Sequence, residues 1–184
     1  MTNDTNRRVR PRLVPDHALP PYAYVPGQLP HPVRDPGGHS FGPRPEDIEP
    51  PDPERWWACC TYLYGIDLFN HGYYWEAHEV WEGLWNACGR RGAVSAFFQG
   101  LIALAAAGLK VRLGNVRGVT GHAKRAAQLF DSTATAADPC EARYMGLDLQ
   151  ALLGWADDIA ARPPVRNDEA SRGAVVFDFV LWPE

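Results

Sequence analysis

Long basic runs are missing from this chain: among 184 residues none is longer than a pair such as Arg7-Arg8 or Arg90-Arg91. With 18 Lys+Arg against 22 Asp+Glu and a formal net charge of -4, no phosphate-tracking face is visible and nucleic acid is not expected as a partner. The first thirty residues lack the apolar stretch of a secretory signal and any lipidation motif, so a cytoplasmic setting without a membrane partner is expected. The longest apolar stretch, Ala93 to Val111, is interrupted by Ser95, Gln99, Gly100, Gly108 and Lys110. Rich in alanine, it falls short of a bilayer span and predicts a buried helix. Cys59, Cys60, Cys88 and Cys140 form no C-x-x-C pair and no compact spacing. That argues against a zinc knot or a disulfide framework and predicts reduced core thiols. Gly-x-Gly-x-x-Gly and P-loop glycine patterns are absent, as are internal repeats.

Proline is nearly absent after Glu54, because 13 of the 17 prolines precede it. Residues 1–53 are therefore predicted to be a non-helical, proline-rich arm. Its first 19 residues read as a solvated tail. Residues 20–42, PPYAYVPGQLPHPVRDPGGHSFG, carry Tyr22, Tyr24 and Phe41, which a free linker does not need, and predict an extended strap lying on the domain.

Residues 54–165 read as the helical domain. Asp52 as N-cap, Pro53 at the first helical position and Glu54 in the first turn open one helix that runs to Asn70-His71-Gly72. A second, about Tyr73 to Cys88, stops at Gly89, and a third, about Ala93 to Leu113, stops at Gly114. Asn115 caps a fourth to about Phe130. Asp138, Pro139 and Glu141 start a fifth, which Arg162-Pro163-Pro164 ends. Residues 166–184 form a tail whose β-type stretch, Gly173 to Trp182, has no partner strand and is expected to lie extended on the helices. The predicted fold class is all-α: a compact multi-helix bundle of about five helices, with an extended N-terminal arm and an extended C-terminal tail.

One stretch carries chemistry: Phe69-Asn70-His71-Gly72-Tyr73-Tyr74-Trp75-Glu76-Ala77-His78-Glu79-Val80-Trp81-Glu82-Gly83-Leu84-Trp85. At about 100° per residue, Tyr74 and Trp85 fall within about 40° of His78 and Glu82 about 40° to the other side, with Trp75 and Glu79 somewhat beyond. An exposed face has no use for three aromatics, and a core face avoids carboxylates that are neither paired nor ligated. His78 and Glu82 are four apart, Glu79 and Glu82 three apart, so one helical turn can offer nitrogen and oxygen ligands to a divalent ion. The spacing differs from H-E-x-x-H, whose second histidine is Glu82 here, which argues against a zincin protease. The alternative is a buried network in which His78 and the glutamates satisfy one another.

The segment Phe69 to Trp85, followed by Phe98-Gln99-Gly100-Leu101-Ile102 and Gly114-Asn115-Val116-Arg117-Gly118, closely resembles the bacterial and archaeal family called domain of unknown function 309. The resemblance covers about residues 55 to 130 and implies a small all-helical bundle of no established activity. It also implies a motif of Asn70, Tyr74, Glu76, His78, Glu79, Glu82 and Trp85, joined by Gln99 and Asn115, all present here. The strap, with Pro30-His31-Pro32 and Gly38-His39-Ser40, looks like the N-terminal extension of some members. Laid over the motif helix, it makes His31 and His39 further candidate ligands. In polar turns instead, they bind nothing.

The remaining polar residues read more plainly. Gln99 has to find partners for its amide, either a motif-helix carboxylate or a loop carbonyl. Asn115 is an N-cap, His122 packs at the edge of an apolar stripe, and His17 and His71 face solvent. Arg112, Arg117, Lys124 and Arg125 tint a solvated face. Cys88 at a helix C-terminus is no nucleophile.

Two functions of different class follow. In the first, His78, Glu79 and Glu82 bind Zn, Mn or Ni, or another small ligand, with Glu79 and Glu82 the catalytic carboxylates of a metal-dependent hydrolase. In the second, the protein is a non-catalytic helical binding or scaffold protein whose His/Glu/Trp cluster is structural. The candidate partners are a metal ion or small molecule and a second copy of the chain.

Overall fold

Residues 10–42, 48–137, 142–165 and 174–184 are described in the computed structural model. Five helices build the domain: α1 (Cys60–Asn70), α2 (Tyr74–Ala87), α3 (Gly92–Arg112), α4 (Val116–Ala136) and α5 (Leu149–Ala161). A two-stranded antiparallel hairpin, β1 (Arg143–Tyr144) and β2 (Leu147–Asp148), precedes α5. The fold is the all-α bundle that the caps predicted, with α3 at its centre against α2 and α4.

Two glycines set the path. Gly72 (φ 82°) and Gly114 (φ 65°) each follow a helix in the left-handed region that only glycine adopts cheaply. At the first, the Tyr73 N–H donates to the Leu68 carbonyl at 2.9 Å and Gly72 N–H to Phe69 at 3.1 Å. At the second, Asn115 N–H donates to Lys110 at 2.9 Å and Gly114 N–H to Val111 at 3.0 Å. Both are paired reversals that satisfy the last carbonyls and start the next helix at once. Asn115 then accepts from the Gly118 N–H at 2.8 Å, the cap expected of it.

Several expectations are corrected. The first helix is two pieces: Pro53–Ala58 is a 3-10 segment, and the chain kinks at Cys59 before α1. Arg55, held by Asp52 at 3.0 Å, leaves helical geometry (φ -130°, ψ 35°), and the kink seats Trp56 against the hairpin turn. α4 runs past Phe130 to Ala136. α5 starts at Leu149, where the Asp148 side chain accepts from the Ala151 N–H at 2.9 Å. The Asp138-Pro139-Glu141 start and Cys140 lie outside the described residues. In the hairpin, Met145 (φ 48°) and Gly146 (φ 79°) form a two-residue turn of the kind that matches strand twist. Tyr62 pins it by donating to the Met145 carbonyl at 2.9 Å. Of the cysteines, Cys60 is exposed and Cys59 and Cys88 are half-buried rather than core. Among the described residues α3 alone is long and apolar enough to cross a membrane, with mean hydropathy 1.7 over its best window, because alanines offset Ser95 and Gln99. Here its Phe97, Phe98, Leu101 and Leu104 are fully buried.

The arm is tethered to the domain at Arg10 and over residues 12–14, whereas residues 15–18 are exposed as a solvated tail would be. Asp67, fully buried on α1, accepts from Arg12 Nε at 2.8 Å, from Leu13 N–H at 2.8 Å and from Val14 N–H at 3.0 Å. Arg12 also donates to the His17 carbonyl, and His17 packs on Tyr64 rather than facing water alone. Arg112 is buried too and donates to Ala23 of the strap at 3.5 Å, so it is not part of a solvated face. The tail alternates, with Phe177, Phe179 and Leu181 inward and Asp178 and Trp182 outward. In place of a partner strand, side chains meet its backbone. Arg10 donates to the Phe177 and Phe179 carbonyls at 2.7 and 2.9 Å, and the Val176 N–H donates to the Tyr74 hydroxyl at 3.0 Å.

Replacing Asp67 by Ala strands Arg12 and two backbone donors, so it should cost about 3–5 kcal/mol and lower the melting temperature by roughly 10 °C. Tryptic cleavage after Arg12 should quicken in parallel. A variant that melts like the parent and stays protected there would show the tether to be idle. Alkali offers a second test. Burial pushes the Tyr74 hydroxyl up to about 12 from 10.0, and Tyr62 well above its ordinary value for the same reason. Folding therefore favours the neutral phenols. Their contribution is complete below about pH 10, where unfolded tyrosine is still neutral, and is lost as pH climbs towards 12. Melting temperatures should hold to about pH 9.5 and then fall by several degrees; a flat profile to pH 12 would contradict the burial argument.

Candidate functional site

Helix α2 divides its residues by angle. Tyr74, Ala77, Trp81 and Leu84 point into the core, and Trp81 lies against Gly65, where a Cβ would stand 2.2 Å from the indole nitrogen. His78, Glu79, Glu82 and Trp85 are half-buried on the other side. One donor atom from each of His78, Glu79 and Glu82 lies within 4.8 Å of the others. His78 Nδ1 is 3.8 Å from Glu79 Oε1, too far for a hydrogen bond, and this buried nitrogen has no hydrogen-bond partner among the described residues.

The cluster opens on a cleft of about 250 Å³. Three helices line it, each at helical spacing: His78, Glu82 and Trp85 from α2; Gln99, Ile102, Ala103 and Ala106 from α3; His122, Arg125 and Leu129 from α4. Trp85 Nε1 donates to Ser95 Oγ at 2.8 Å, and the Arg90 guanidinium stacks over its ring at 4.7 Å from the centroid. Those two contacts fix the indole as a wall. Gln99 reaches neither a motif carboxylate nor a loop carbonyl among the described residues; its amide faces the cleft. Burial, with Lys110 and His78 adding positive charge nearby, pushes the His122 imidazole below its ordinary pKa.

The other candidates are placed elsewhere. Asn70 is fully buried; its amide nitrogen donates to the Leu181 carbonyl at 2.8 Å and its oxygen accepts from the Leu181 N–H at 2.9 Å. Tyr74 packs under the tail against Phe69 and Phe177. Glu76 Oε1 accepts from the Tyr24 N–H at 2.8 Å and lies 3.2 Å from His39 Nε2, which latches the strap to the start of α2. His31 accepts from the Val33 N–H at 3.3 Å and meets Trp75 and Tyr24 edge to face or tilted. The strap therefore covers Trp75 and Glu76, and His31 and His39 are not brought to His78. His71 caps α1 with Nδ1 2.7 Å from the Asp67 carbonyl. Asn115 is the cap described above.

Two cleft residues were read only as a packing histidine and as part of a solvated face, His122 and Arg125; Arg125 is exposed as expected and lines the cleft as well. Their signal was available: with Leu129 they stand at i, i+3 and i+7, a stripe on α4 that faces whatever α4 packs against. Burial raises both the Cys59 and Cys88 thiols above their ordinary pKa, which keeps them protonated and unreactive.

A helical bundle holding a half-buried His/Glu/Glu turn beside a three-helix cleft defines the class of protein. The family match is narrower: residues 62–121, from α1 to the start of α4, match the family described as a Domain of unknown function (DUF309). No curated protein matches the chain. The matched segment ends one residue before His122, so the α4 wall of the cleft lies outside it.

Because Asn70 serves the tail and His78 the cleft, their substitutions should have different signatures. Asn70→Ala leaves the Leu181 N–H and carbonyl without partners, at a cost of about 1–3 kcal/mol, and should loosen the tail to proteolysis while ligand binding at the cleft persists. Equal loss of ligand binding in Asn70→Ala and His78→Ala would show that the motif acts as one unit.

Proposed function

We propose that this protein is a divalent-metal-dependent hydrolase of small molecules, with its metal held by His78, Glu79 and Glu82. The observation that carries the reading is the gathering of an imidazole and two carboxylates within 4.8 Å beside a cleft that His78 and Glu82 line, with His78 Nδ1 buried and without a hydrogen-bond partner among the described residues. Around an ion bonded at about 2.0–2.2 Å, neighbouring donors sit roughly 3–3.5 Å apart. Rotation of the Glu79 and Glu82 side chains closes that difference without moving the helix. A mixed nitrogen and oxygen donor set suits Zn, Mn or Ni, and three protein donors leave room for water and substrate.

A divalent ion there would lower the pKa of a bound water towards neutrality and polarise a substrate oxygen. The chain's own groups supply the rest. With each glutamate ligating through one oxygen, the second oxygen of Glu79 or Glu82 would accept the proton of the attacking water. Gln99 offers amide N–H groups across the cleft to an oxygen that gains charge. Trp85, held by Ser95 and Arg90, narrows the opening and excludes bulk water. The strap latch at Glu76 and His39 keeps the first turn of α2 in place, so that His78 and Glu82 one turn later are presented at fixed angles.

Elemental analysis of natively purified protein and thermal melts with added Zn²⁺, Mn²⁺ or Ni²⁺ test the reading. Metal should be present or should stabilise the fold, and Glu82→Gln, which keeps shape and removes charge, should weaken binding at least about tenfold with little change in the metal-free melt. A protein that carries no metal, gains no stability from any of the three ions and is destabilised by Glu82→Gln by about 1–3 kcal/mol is instead the non-catalytic scaffold, its cluster a structural network.

A further inference from the structure

We propose that the cleft takes a small organic anion whose acid group, a carboxylate or a phosphate, is held by Arg125. The inference rests on the reading of this cleft as the functional site, and it adds the class of molecule that enters. The walls differ in sign: His78 and Glu82 of α2 form one pole, and Arg125 on α4 forms the other. Between the poles, Ile102, Ala103 and Leu129 give an apolar floor.

Among the described arginines, Arg125 is the one that lines this cleft. Arg12, Arg55, Arg143 and Arg162 each pair with a carboxylate, and Arg90 grips the Asn86 amide while covering Trp85. Arg125 lines the cleft, yet among the described residues it pairs with no carboxylate, Glu82 across the cleft included. Its five donors in a planar fork match the two oxygens of a carboxylate or phosphate. An exposed guanidinium at the rim of the cleft, across it from Glu82, is a place for an anion brought from outside.

Size narrows the class further. At about 250 Å³ the cleft is smaller than the roughly 300–1,000 Å³ of sites for drug-sized ligands. A compact body of about ten heavy atoms fits against the floor and the Trp85 ring. With its acid group on Arg125, such a molecule places its far end at the His78 and Glu82 pole, where the hydrolytic groups are. A peptide, a polymer or a nucleotide with its base and sugar is too large to lie wholly between the helices.

Calorimetric titration of the full chain with phenyl phosphate and with benzoate, each with and without Mn²⁺, tests the inference, with neutral benzyl alcohol of the same size as the control. At least one anion should saturate the protein while benzyl alcohol does not, and the stronger of the two tells phosphate from carboxylate. Arg125→Gln should weaken that binding at least about tenfold while leaving Mn²⁺ affinity unchanged. Neither anion binding, or an anion binding equally well to Arg125→Gln, overturns the inference. Mn²⁺ binding without any anion binding overturns it and leaves the metal reading standing. Arg125-dependent anion binding in a protein that takes up no metal does the reverse.

Discussion

The last turn of α1 holds the molecule together. Asp67 and Asn70 sit there three residues apart, both fully buried, and neither has a polar neighbour within its own helix that satisfies it. Asp67 receives the N-terminal arm through Arg12, Leu13 and Val14, and Asn70 receives the C-terminal tail through Leu181. Arg10 closes the ring, because it donates both to the Asn70 carbonyl and to the tail at Phe177 and Phe179. A buried carboxylate without those donors would be strongly destabilising, so folding of the bundle and docking of both termini are one event. The same turn ends at Gly72 and launches α2, which fixes where the His/Glu turn can stand.

That dependence explains why the motif reads as one cluster in sequence and as two in space. Asn70, Tyr74 and Glu76 each bind a segment that has no secondary structure of its own: the tail at Leu181, the tail at Val176 and the strap at Tyr24. His78, Glu82 and Trp85 begin one turn later and line the cleft with α3 and α4. A helical wheel places Tyr74 and His78 on a common face, which is correct for the helix alone. What it cannot register is that the tail crosses the first turn of α2 and the cleft begins at the second. The aromatic content of the motif is thereby divided, with Tyr74 going to the core and Trp85 to the cleft wall.

Legibility followed the range of the interactions involved. Helix ends at Gly72, Gly114 and Asn115 were readable because their causes are local: a glycine with positive φ and a side chain that caps three residues on. The hairpin at Met145-Gly146 was not, because its left-handed methionine carries no turn signature and the Tyr62 hydroxyl that pins it comes from 83 residues away. The arm was misread for the same reason. Arg10, Arg12 and Leu13 look solvated until Asp67, 55 residues from Arg12, is known to lie beneath them. In the site, His78, Glu82 and Trp85 were visible as one stripe. His122 and Arg125 belong to a different helix, and only the packing of α4 on α3 brings them opposite.

The cleft itself needs a physical reason, since three packed helices ordinarily fill the space between them. Its floor is where α3 offers Ala103 and Ala106, while positions pointing elsewhere on the same helix carry Phe97, Phe98, Leu101 and Leu104. Alanine there leaves contacts unmade that a leucine would make, and a void lined on one side forfeits dispersion energy outright. Elsewhere α3 uses its small residues in the opposite sense: Gly100 admits the Phe130 ring and Gly108 the Tyr74 ring, each so close that a Cβ would stand within 2.5 or 2.6 Å. Small residues that admit a neighbour improve packing, whereas Ala103 and Ala106 lie under open space. Beside it lies a His78 ring nitrogen buried without a hydrogen-bond partner among the described residues. Packing alone gives no reason for open space and an unpartnered buried nitrogen to stand side by side, and that pairing is the ground on which a ligand is proposed there.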